Sequence, residues 1–347
     1  MKPILINGRI FEFPITGVGR FCHEVISEMD KIVHKNEVLL GVPQDAKNVP
    51  RLENIQVQVI GKRTGIFWEQ VELPRYAHKN KMKCLSMSSS VPLLAHDYVL
   101  IHDISLKVNR EENASLKDKV KIWWPLLQYR VGIHKSELFF TDTEFQKKEI
   151  EKEYKTNKQI NVVYAGWQHM SRIDYDDQII KRLNLENKEY YFAVSTRGKN
   201  KNFKWILEVA KRNQAARFVV AGKLDTKYFA DDTNLDGLDN ILTTGYVTDS
   251  EMKSLMKHAK AFLYPSIYEG FGMPPMEAMA VGTKAIVGKA SCLPEVYGDS
   301  VYWVDPYHYD VDLESLISNN VGEPNKLLKR YSWEKTAKRI INSINGG

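Results

Sequence analysis

The feature that most constrains this fold is a regular alternation of short apolar runs with longer amphipathic segments. The runs are dense in Val, Ile, Leu, Phe and Tyr, and they lack the polar–apolar alternation of strands with one wet face. Such runs are typical of parallel strands covered by helices on both sides. In the first half they predict strands at Ile4–Ile6, Val38–Val42, Ile55–Ile60, Tyr98–Ile101, Leu138–Thr141 and Asn161–Tyr164. In the second half they predict strands at Tyr190–Val194, Arg217–Ala221, Ile241–Thr244, Ala261–Tyr264, Lys284–Val287 and Val301–Val304.

The segments between the runs carry helix signals. Thr248 and Glu251 have the spacing of a capping box, and Met252 and Leu255 follow on one helical face. Strand and helix repeated in this order predict an α/β fold with two doubly wound parallel sheets. We therefore expect a Rossmann-like domain over 1–166, a polar linker over 167–188, a second Rossmann-like domain over 189–325 and a final helical segment over 326–347.

Composition excludes several classes of protein. No run approaches the ~18 apolar residues of a membrane-spanning helix, and the apolar start of the chain is broken at Asn7, too soon for a signal peptide. We therefore expect a cytoplasmic protein. The three cysteines, Cys22, Cys84 and Cys292, lie far apart and predict neither disulfides nor a zinc site. The net charge of +6 is too small and too scattered to indicate nucleic-acid binding.

The segment that begins at Tyr264 carries the most chemical information. It crosses a loop with Gly270 and Gly272 and enters a helix near Pro274 or Pro275. Proline suits the first turn of a helix, and the free backbone N–H groups of such a start form a site for a phosphate or diphosphate. The glycines let the backbone approach a ligand closely.

Glu269 and Glu277 flank this predicted anion site. A carboxylate beside a phosphate is repulsive unless it faces a neutral partner, and sugar hydroxyls are such a partner. Taken alone, Glu277 is equally explained as an acidic residue near a helix start, where the helix dipole favours it. With the surrounding Pro, Gly and Ala residues, the pair favours a site for a sugar linked to phosphate.

These residues resemble the E-x7-E signature of retaining glycosyltransferases of the GT4 family, which have the GT-B fold. Other stretches resemble motifs of that family in the same order, so the likeness spans nearly the whole chain. They are Thr16-Gly17-Val18-Gly19-Arg20, Ile101-His102-Asp103, Thr143-Glu144-Phe145, Leu293-Pro294-Glu295-Val296 and Ser332-Trp333-Glu334. The resemblance implies two facing Rossmann-like domains with an inter-domain cleft and a last helix that crosses back to the first domain.

The resemblance also implies roles for individual residues. His102 and Glu269 would act at the transferred sugar, and Glu277 would bind the ribose of the donor. Gly17 and Gly19 would approach the donor's phosphates and sugar, although a plain tight turn explains two such glycines as well. Backbone contacts to the sugar would come from Phe271, Gly272 and Met273.

A cationic loop follows the predicted strand Tyr190–Val194, where it can neutralise a diphosphate leaving group. It resembles the family's diphosphate-binding loop, with Arg197 and Lys201 in the donor-binding positions. Lys199 also precedes an asparagine, so either lysine can fill this role, and Lys201 with Asn202 matches the family pattern better.

Two acidic pairs mimic the D-x-D metal motif of a different transferase architecture. Asp174 and Asp176 fall in the predicted linker, and Asp310 and Asp312 follow the last predicted strand. Surface acidity explains both pairs, so we expect no metal and no cofactor.

One stretch of the first half combines tryptophans with basic residues. It holds Trp123 and Trp124 beside Lys117, Lys119, Lys121 and Arg130, and residues 1–166 carry 25 Lys and Arg against 20 Asp and Glu. This composition suits an anionic membrane surface. A core helix with a charged outer face explains the same residues.

The function implied by the resemblance is metal-independent transfer of a hexose, with retention, from a GDP- or UDP-linked donor. The acceptor would be a lipid-linked or growing surface polysaccharide such as O-antigen or capsule, since relatives with these motifs commonly build such polymers. The enzyme would work in the cytoplasm, with peripheral contact to the inner face of the membrane. Another GT-B enzyme, such as a sugar-nucleotide epimerase or a phosphorylase, and a non-catalytic sugar-nucleotide-binding protein are the alternatives.

Overall fold

The computed structural model describes residues 3–109, 116–186, 189–194, 199–222 and 238–346, with the backbone alone described for 116–121. The chain divides into two compact units. Unit 1 consists of Met1–Gly166 together with Ser332–Gly347, and unit 2 consists of Trp167–Tyr331. The chain therefore leaves unit 1, builds unit 2 and returns.

The described residues of unit 1 form seven parallel strands. They are β1 (Ile4–Asn7), β2 (Val38–Val42), β3 (Gln56–Val59), β4 (Lys83–Ser86), β5 (Tyr98–Leu100), β6 (Leu138–Thr141) and β7 (Ile160–Val162). Their order in the sheet is β3-β2-β1-β4-β5-β6-β7, and every neighbouring pair is parallel. The helices of this unit are α1 (Gly17–Asp30), α2 (Gly65–Phe67), α3 (Leu73–Lys79), α4 (Ser105–Val108), α5 (Leu116–Lys135), α6 (Glu144–Tyr154) and α15 (Trp333–Gly346).

The strand β4 was not predicted, so the expectation of six strands in the first half was wrong by one. β4 has only two apolar residues, Cys84 and Leu85, and Lys83 and Ser86 flank them. Both apolar side chains are nevertheless fully buried, because β4 lies in the middle of the sheet between β1 and β5. An apolar run this short carries no strand signal of its own.

In the described part of unit 2 there are six parallel strands, as the sequence predicted. They are β8 (Tyr191–Val194), β9 (Phe218–Ala221), β10 (Ile241–Gly245), β11 (Ala261–Tyr264), β12 (Lys284–Gly288) and β13 (Tyr302–Val304), in the order β10-β9-β8-β11-β12-β13. The helices are α7 (His169–Arg172), α8 (Gln178–Arg182), α9 (Phe203–Arg212), α10 (Asp249–His258), α11 (Met273–Ala280), α12 (Leu293–Tyr297), α13 (Leu313–Ser318) and α14 (Pro324–Arg330). The predicted capping box is formed at the start of α10.

The stretch 167–188, which we expected to be a linker, packs within unit 2. The Trp167 indole N–H donates to the Leu328 carbonyl at 2.8 Å, and Ile179 and Ile180 on α8 are buried. The polar residues that suggested a linker lie on α7 and in the turns beside α7 and α8, where Ser171, Asp174 and Asn184 are exposed.

The end of the chain also differs from the expected division at residue 326. Helix α14 belongs to unit 2, and the return to unit 1 begins at Ser332. There α15 packs on α1, with the rings of Trp333 and Phe21 edge to face at 5.7 Å between centroids. The Thr336 hydroxyl also donates to the Tyr164 carbonyl.

The direction of winding reverses once in each sheet. In unit 1 the reversal lies between β1 and β4, and in unit 2 it lies between β8 and β11. At such a point the loops leaving two adjacent strands diverge, and the crevice at their carboxyl ends is where open α/β sheets bind ligands. Among the described residues, no helix is long and apolar enough to cross a membrane.

Candidate active site

Two loops meet at the reversal of the unit 2 sheet. A 3-10 turn, Lys199–Lys201, follows β8, and the loop 265–272 follows β11. The Ile267 N–H donates to the Asn200 carbonyl at 2.8 Å, and Ser266 Oγ lies 2.8 Å from the same carbonyl oxygen. The Asn200 amide donates to the Tyr268 carbonyl at 3.0 Å. Each loop therefore fixes the other.

An ion pair between Lys201 and Glu269 lies where these loops meet. Lys201 Nζ is 2.6 Å from Glu269 Oε1 and 2.8 Å from Oε2. The Tyr264 hydroxyl donates to the same Oε1 at 2.7 Å, and Ser266 Oγ also donates to it. The Glu269 carboxylate is therefore held in one orientation by charge-assisted hydrogen bonds from three side chains.

The exposure of this pair differs between its two members. Glu269 is 8% exposed, whereas a quarter of the Lys201 side chain faces solvent. Burial, followed by the charge of Glu269, raises the pKa of Tyr264 well above its ordinary value, so its hydroxyl stays a hydrogen-bond donor. The pair offers an oriented carboxylate that is nearly buried and an ammonium group that a ligand can reach.

The loop after β12 clamps the backbone of Glu269. The Glu269 N–H donates to Ser291 Oγ at 2.9 Å, and Ser291 Oγ donates to the Glu269 carbonyl at 3.1 Å. The Cys292 thiol lies 3.3 Å from the same carbonyl oxygen. These contacts fix the main chain from which the carboxylate projects.

Position 272 requires glycine for two structural reasons. Its φ is +82°, and a Cβ there would lie 2.6 Å from Leu293 Cδ2. The L-P-E-V stretch thus packs against the glycine loop through Leu293, and the Tyr297 hydroxyl donates to the Gly272 carbonyl. Phe271 is buried edge to face against Tyr331.

The start of α11 offers fewer amide donors than the predicted anion site needs. The helix begins at Met273, as expected, but Pro274 and Pro275 have no N–H. The Met276 N–H already donates to the Tyr297 hydroxyl at 3.1 Å. Two residues of this first turn therefore have no N–H and a third N–H is occupied, so a diphosphate site at this helix start stays a prediction. Lys201 supplies positive charge at the site.

Glu277 has a buried partner that the sequence did not reveal. Its Oε1 lies 3.1 Å from His169 Nε2, and the two side chains are 18% and 4% exposed. His169 belongs to α7, in the stretch that was expected to be a linker. The contact orients the second glutamate of the signature.

The structure distinguishes the two candidate lysines of the loop after β8. Lys201 points to Glu269, whereas Lys199 is exposed. Arg197, the other cation expected here, lies outside the described residues. Unit 2 therefore brings together Lys201, Glu269 and the glycine loop.

The remaining predicted residues lie in unit 1. Gly17 and Gly19 form the first turn of α1 rather than a separate loop, because the helix begins directly after Thr16. A Cβ at Gly19 would meet no atom closer than 3.9 Å, so packing does not require a glycine there. His102 follows β5 and is 6% exposed.

The ring of His102 does not present a nitrogen to solvent. Nδ1 lies 2.8 Å from Asp142 Oδ2, and Nε2 lies 2.9 Å from the Met87 carbonyl oxygen. The sugar contact implied by the resemblance is therefore not available to either nitrogen in this arrangement, because protein acceptors occupy both.

The acidic pairs set aside above have local structural roles. Asp176 Oδ1 accepts from the Gln178 N–H, and Asp312 Oδ1 accepts from the Ser315 N–H at the start of α13. Within the described ranges, no group of three or more His, Cys, Asp or Glu side chains could hold a metal ion.

Sequence reasoning missed the side chains that support the two glutamates. Tyr264, Ser266 and Tyr297 stand inside or beside the recognised motifs, so their position was a usable signal. His169 is 108 residues from Glu277, and no pattern in the sequence connects them. Asp142 directly precedes a recognised motif, and an acid at the carboxyl end of a buried strand was the available signal.

Two parallel-sheet, Rossmann-like units with a charged site at the reversal of one sheet define a GT-B fold. Residues 175–339 match the family described as Glycosyl transferases group 1. The chain also resembles the solved structure of Anabaena Alr3699/HepE in complex with UDP and glucose, with a TM-score of 0.69, 14% identity and coverage of 99% of this chain and 100% of that one. This likeness bears on the fold alone.

Curated relatives match in sequence. O-antigen chain mannosyltransferase B of Escherichia coli is 36% identical over 108 residues, which are 28% of each chain. O-antigen chain mannosyltransferase RfbU of Salmonella typhimurium is 26% identical over 274 residues, 76% of this chain and 73% of the relative. The chain spans 28% of the length of the first relative and 53% of that of another, an uncharacterized glycosyltransferase of Methanocaldococcus jannaschii. The chain is thus similar to group 1 glycosyltransferases in sequence over residues 175–339, and it is similar to GT-B proteins in fold.

Proposed function

We propose that this protein transfers a hexose, with retention of configuration, from a nucleoside-diphosphate sugar to an acceptor hydroxyl. The observation that carries the proposal is the Lys201–Glu269 pair at the reversal of the unit 2 sheet. A buried, oriented carboxylate suits neutral sugar hydroxyls, and an accessible ammonium group beside it suits a diphosphate. One pair thus matches both halves of the donor.

The reaction begins with cleavage of the bond between the anomeric carbon and the diphosphate oxygen. The electron pair leaves with the diphosphate, where Lys201 stabilises the developing negative charge, and the sugar becomes oxocarbenium-like. The acceptor oxygen forms its bond to the anomeric carbon from the face the leaving group vacates. A β-phosphate oxygen takes the acceptor's proton, so the products are the glycoside and the nucleoside diphosphate.

Glu269 and Glu277 divide the recognition of the donor in this proposal. Glu269 accepts hydrogen bonds from hydroxyls of the transferred sugar, and Glu277 accepts them from the ribose. Phe271, Gly272 and Met273 supply main-chain contacts to the sugar. Gly17, Gly19 and Arg197 remain proposed donor contacts, and the mechanism needs neither a metal ion nor a cofactor.

Mannose is the sugar and a surface polysaccharide the acceptor that we propose to test first. The support is the names of the relatives, which are O-antigen chain mannosyltransferases. The donor is then GDP- or UDP-linked, and the acceptor is a lipid-linked or growing chain, reached from the cytoplasmic face of the membrane. Trp123, 62% exposed on α5, supports a peripheral membrane contact by the stretch 122–130. The side chains of Lys117, Lys119 and Lys121 lie outside the described residues.

A donor panel tests the function. GDP-mannose, GDP-fucose, UDP-glucose, UDP-N-acetylglucosamine, dTDP-glucose and ADP-glucose are added to the full chain, and the thermal unfolding midpoint is recorded. A selectively bound donor stabilises the native state by RT ln(1 + [L]/Kd), so donors with one base should raise the midpoint more than the others.

The selected donor is then incubated with a saccharide acceptor, with and without EDTA, and the anomeric product is read by NMR. Transfer with retention that survives EDTA supports the proposal. Epimerised donor, or cleavage that requires inorganic phosphate, would instead assign one of the alternative GT-B activities. Donor binding without turnover against a broad acceptor panel would indicate a non-catalytic sugar-nucleotide-binding protein.

A further inference from the structure

The buried pair formed by His102 and Asp142 is the group in unit 1 that the proposed mechanism does not use. His102 follows β5 and Asp142 follows β6, and these adjacent parallel strands bring the two side chains together at their carboxyl ends. Nδ1 is 2.8 Å from Asp142 Oδ2 and 3.1 Å from Oδ1, and the side chains are 8% and 5% exposed.

When Asp142 is ionised, both nitrogens of the ring face oxygen atoms that can only accept. Nδ1 faces a carboxylate, and Nε2 faces the Met87 carbonyl oxygen at 2.9 Å. A neutral imidazole has one N–H and one lone pair, so it would turn a lone pair towards one of these oxygens. Only the imidazolium form donates to both.

We propose that Asp142 is a positioning residue that keeps His102 doubly protonated, so that the imidazolium fixes the loop after β4 through the Met87 carbonyl. This loop, 87–91, stands at the reversal of the unit 1 sheet. The part of the proposal that concerns turnover rests on the proposed function, whereas the protonation state does not.

The contacts of the loop 87–91 show what the imidazolium would position. The His102 N–H donates to Ser89 Oγ at 3.0 Å, and Ser89 has the strained φ of +58°. The next residue, Ser90, donates to the fully buried Glu69 at 2.7 Å. The His102–Asp142 pair is therefore connected, through one short loop, to the polar groups at the carboxyl end of β1.

The titratable groups around the ring are consistent with a permanent charge. Burial alone would lower the pKa of His102, but the charge and hydrogen bonds of Asp142 raise it to about 10. Burial also raises the pKa of Asp142, the charge and hydrogen bond of His102 oppose that rise, and the charge of Asp103 adds to it. Cys22 on α1 is the other titratable neighbour of the ring. Phe21 covers the ring edge to face at 4.7 Å.

Cys22, His102 and Asp142 superficially resemble a thiol catalytic triad, and the geometry argues against that role. The Cys22 thiol donates to the Met87 carbonyl at 3.4 Å and is 2% exposed. Burial raises the pKa of Cys22, so the thiol stays protonated and unreactive. Met87, Cys22 and the ring form a closed hydrogen-bonded cluster.

The direct test is nitrogen NMR of the ring in the full chain labelled with ¹⁵N-histidine. The chain has nine histidines, and loss of one signal in His102→Gln assigns the resonance. At pH 8 we expect both nitrogens of His102 to be protonated, with deprotonation centred near pH 10. A single neutral tautomer at pH 8 would overturn the proposal, and this result needs no variant to fold and no activity.

The variant Asp142→Asn tests the effect of the Asp142 carboxylate on the protonation of His102. We expect its His102 to be neutral at pH 8, whereas in Asp103→Asn, which removes the neighbouring carboxylate, the ring stays charged. Asp142→Glu should restore the charge. If Asp142→Asn folds and its His102 remains doubly protonated at pH 8, Asp142 does not have the proposed role.

Unfolding and turnover extend the test. Because the folded-state pKa of His102 is raised, its stabilisation is complete below the ordinary pKa of 6.5 and is lost as the pH rises through about 10. The urea midpoint of the native chain should fall over that interval, and that of Asp142→Asn should fall less.

Transfer by Asp142→Asn should lose kcat at pH 8 while the KM for the donor changes little. A rise in the KM for the donor as large as the fall in kcat would contradict the positioning role.

Discussion

Each sheet has an ion pair beside its reversal, and the two pairs differ in exposure. In unit 1, Arg9 lies 2.8 Å from Glu69, which is 0% exposed and also accepts from Asn7 at 2.9 Å. In unit 2, Lys201 pairs with Glu269 at 2.6 Å, and its side chain is a quarter exposed. The same topological position thus holds a closed polar network in one sheet and an accessible ammonium group in the other.

This difference teaches which pair serves the fold and which serves the ligand. A guanidinium group forms several directed hydrogen bonds and suits a permanent buried pair, whereas an ammonium group on a flexible stem can move from one anion to another. We expect variants of the unit 1 pair to change the free energy of unfolding, and variants of the unit 2 pair to change turnover.

The largest effect is expected for Glu69→Ala. The substitution leaves the partly buried Arg9 guanidinium with only the more distant Glu12 carboxylate, at 3.6 Å, and breaking a buried pair costs about 3–5 kcal/mol of unfolding free energy. Urea unfolding followed by circular dichroism measures it. Glu53→Ala, at an exposed position of the same unit, should stay within about 0.5 kcal/mol of the native chain. A cost for Glu69→Ala as small as that of Glu53→Ala would break the comparison.

Lys201→Ala should have the next largest effect. Removing one group that stabilises the leaving negative charge costs on the order of a hundredfold in kcat. Steady-state transfer kinetics with the selected donor measure the loss, and Lys201→Arg should recover part of it. The matched control is Lys199→Ala, two residues away and exposed, for which we expect about native kinetics. A larger loss of kcat in Lys199→Ala than in Lys201→Ala would assign the diphosphate contact to Lys199 instead.

Glu269→Ala should lower kcat/KM by at least about tenfold, which corresponds to a transition-state contact worth about 1.4 kcal/mol. Its thermal midpoint must be reported beside the kinetics, because the substitution also leaves Lys201 without its partner. Glu208→Ala removes a surface glutamate that pairs with Lys211 and Arg212, and it should leave transfer unchanged. Native kcat/KM in a folded Glu269→Ala protein would remove this residue from the site.

The smallest effect is expected for His169→Ala. Its contact with Glu277 is one hydrogen bond, worth about 0.5–1.5 kcal/mol, so the KM for the donor should rise by about two- to tenfold while kcat stays unchanged. His258→Ala, on the exposed end of α10, is the control. A loss confined to kcat would show that α7 acts on the chemical step rather than on ribose binding.

The sequence predicted the parts of the fold that have a local signal. Twelve strands were predicted from their apolar runs. Strand β4 was not, because it has only two buried apolar residues and its strand conformation depends on pairing with β1 and β5. The linker was misjudged because polar outer faces look the same whether or not a stretch packs on a unit.

The site was predictable where a motif holds its residues close together. Glu269 and Glu277 stand in one segment, and the structure shows how each carboxylate is held. The partners of Glu277 and His102 could not be derived, because 108 and 40 positions separate them and folding alone joins them. The anion site at α11 stays a prediction, and the sequence already showed that Pro274 and Pro275 cannot donate to it.

Both ends of the described chain belong to unit 1, and unit 2 is joined to it at two points, after Gly166 and before Ser332. In engineering terms, unit 2 is an insert with paired junctions. Exchanging 167–331 for the equivalent piece of a relative would retain α1, α15 and their shared apolar contacts. Cutting the chain before Ser332 would instead remove α15 from unit 1, most of which is synthesised before unit 2.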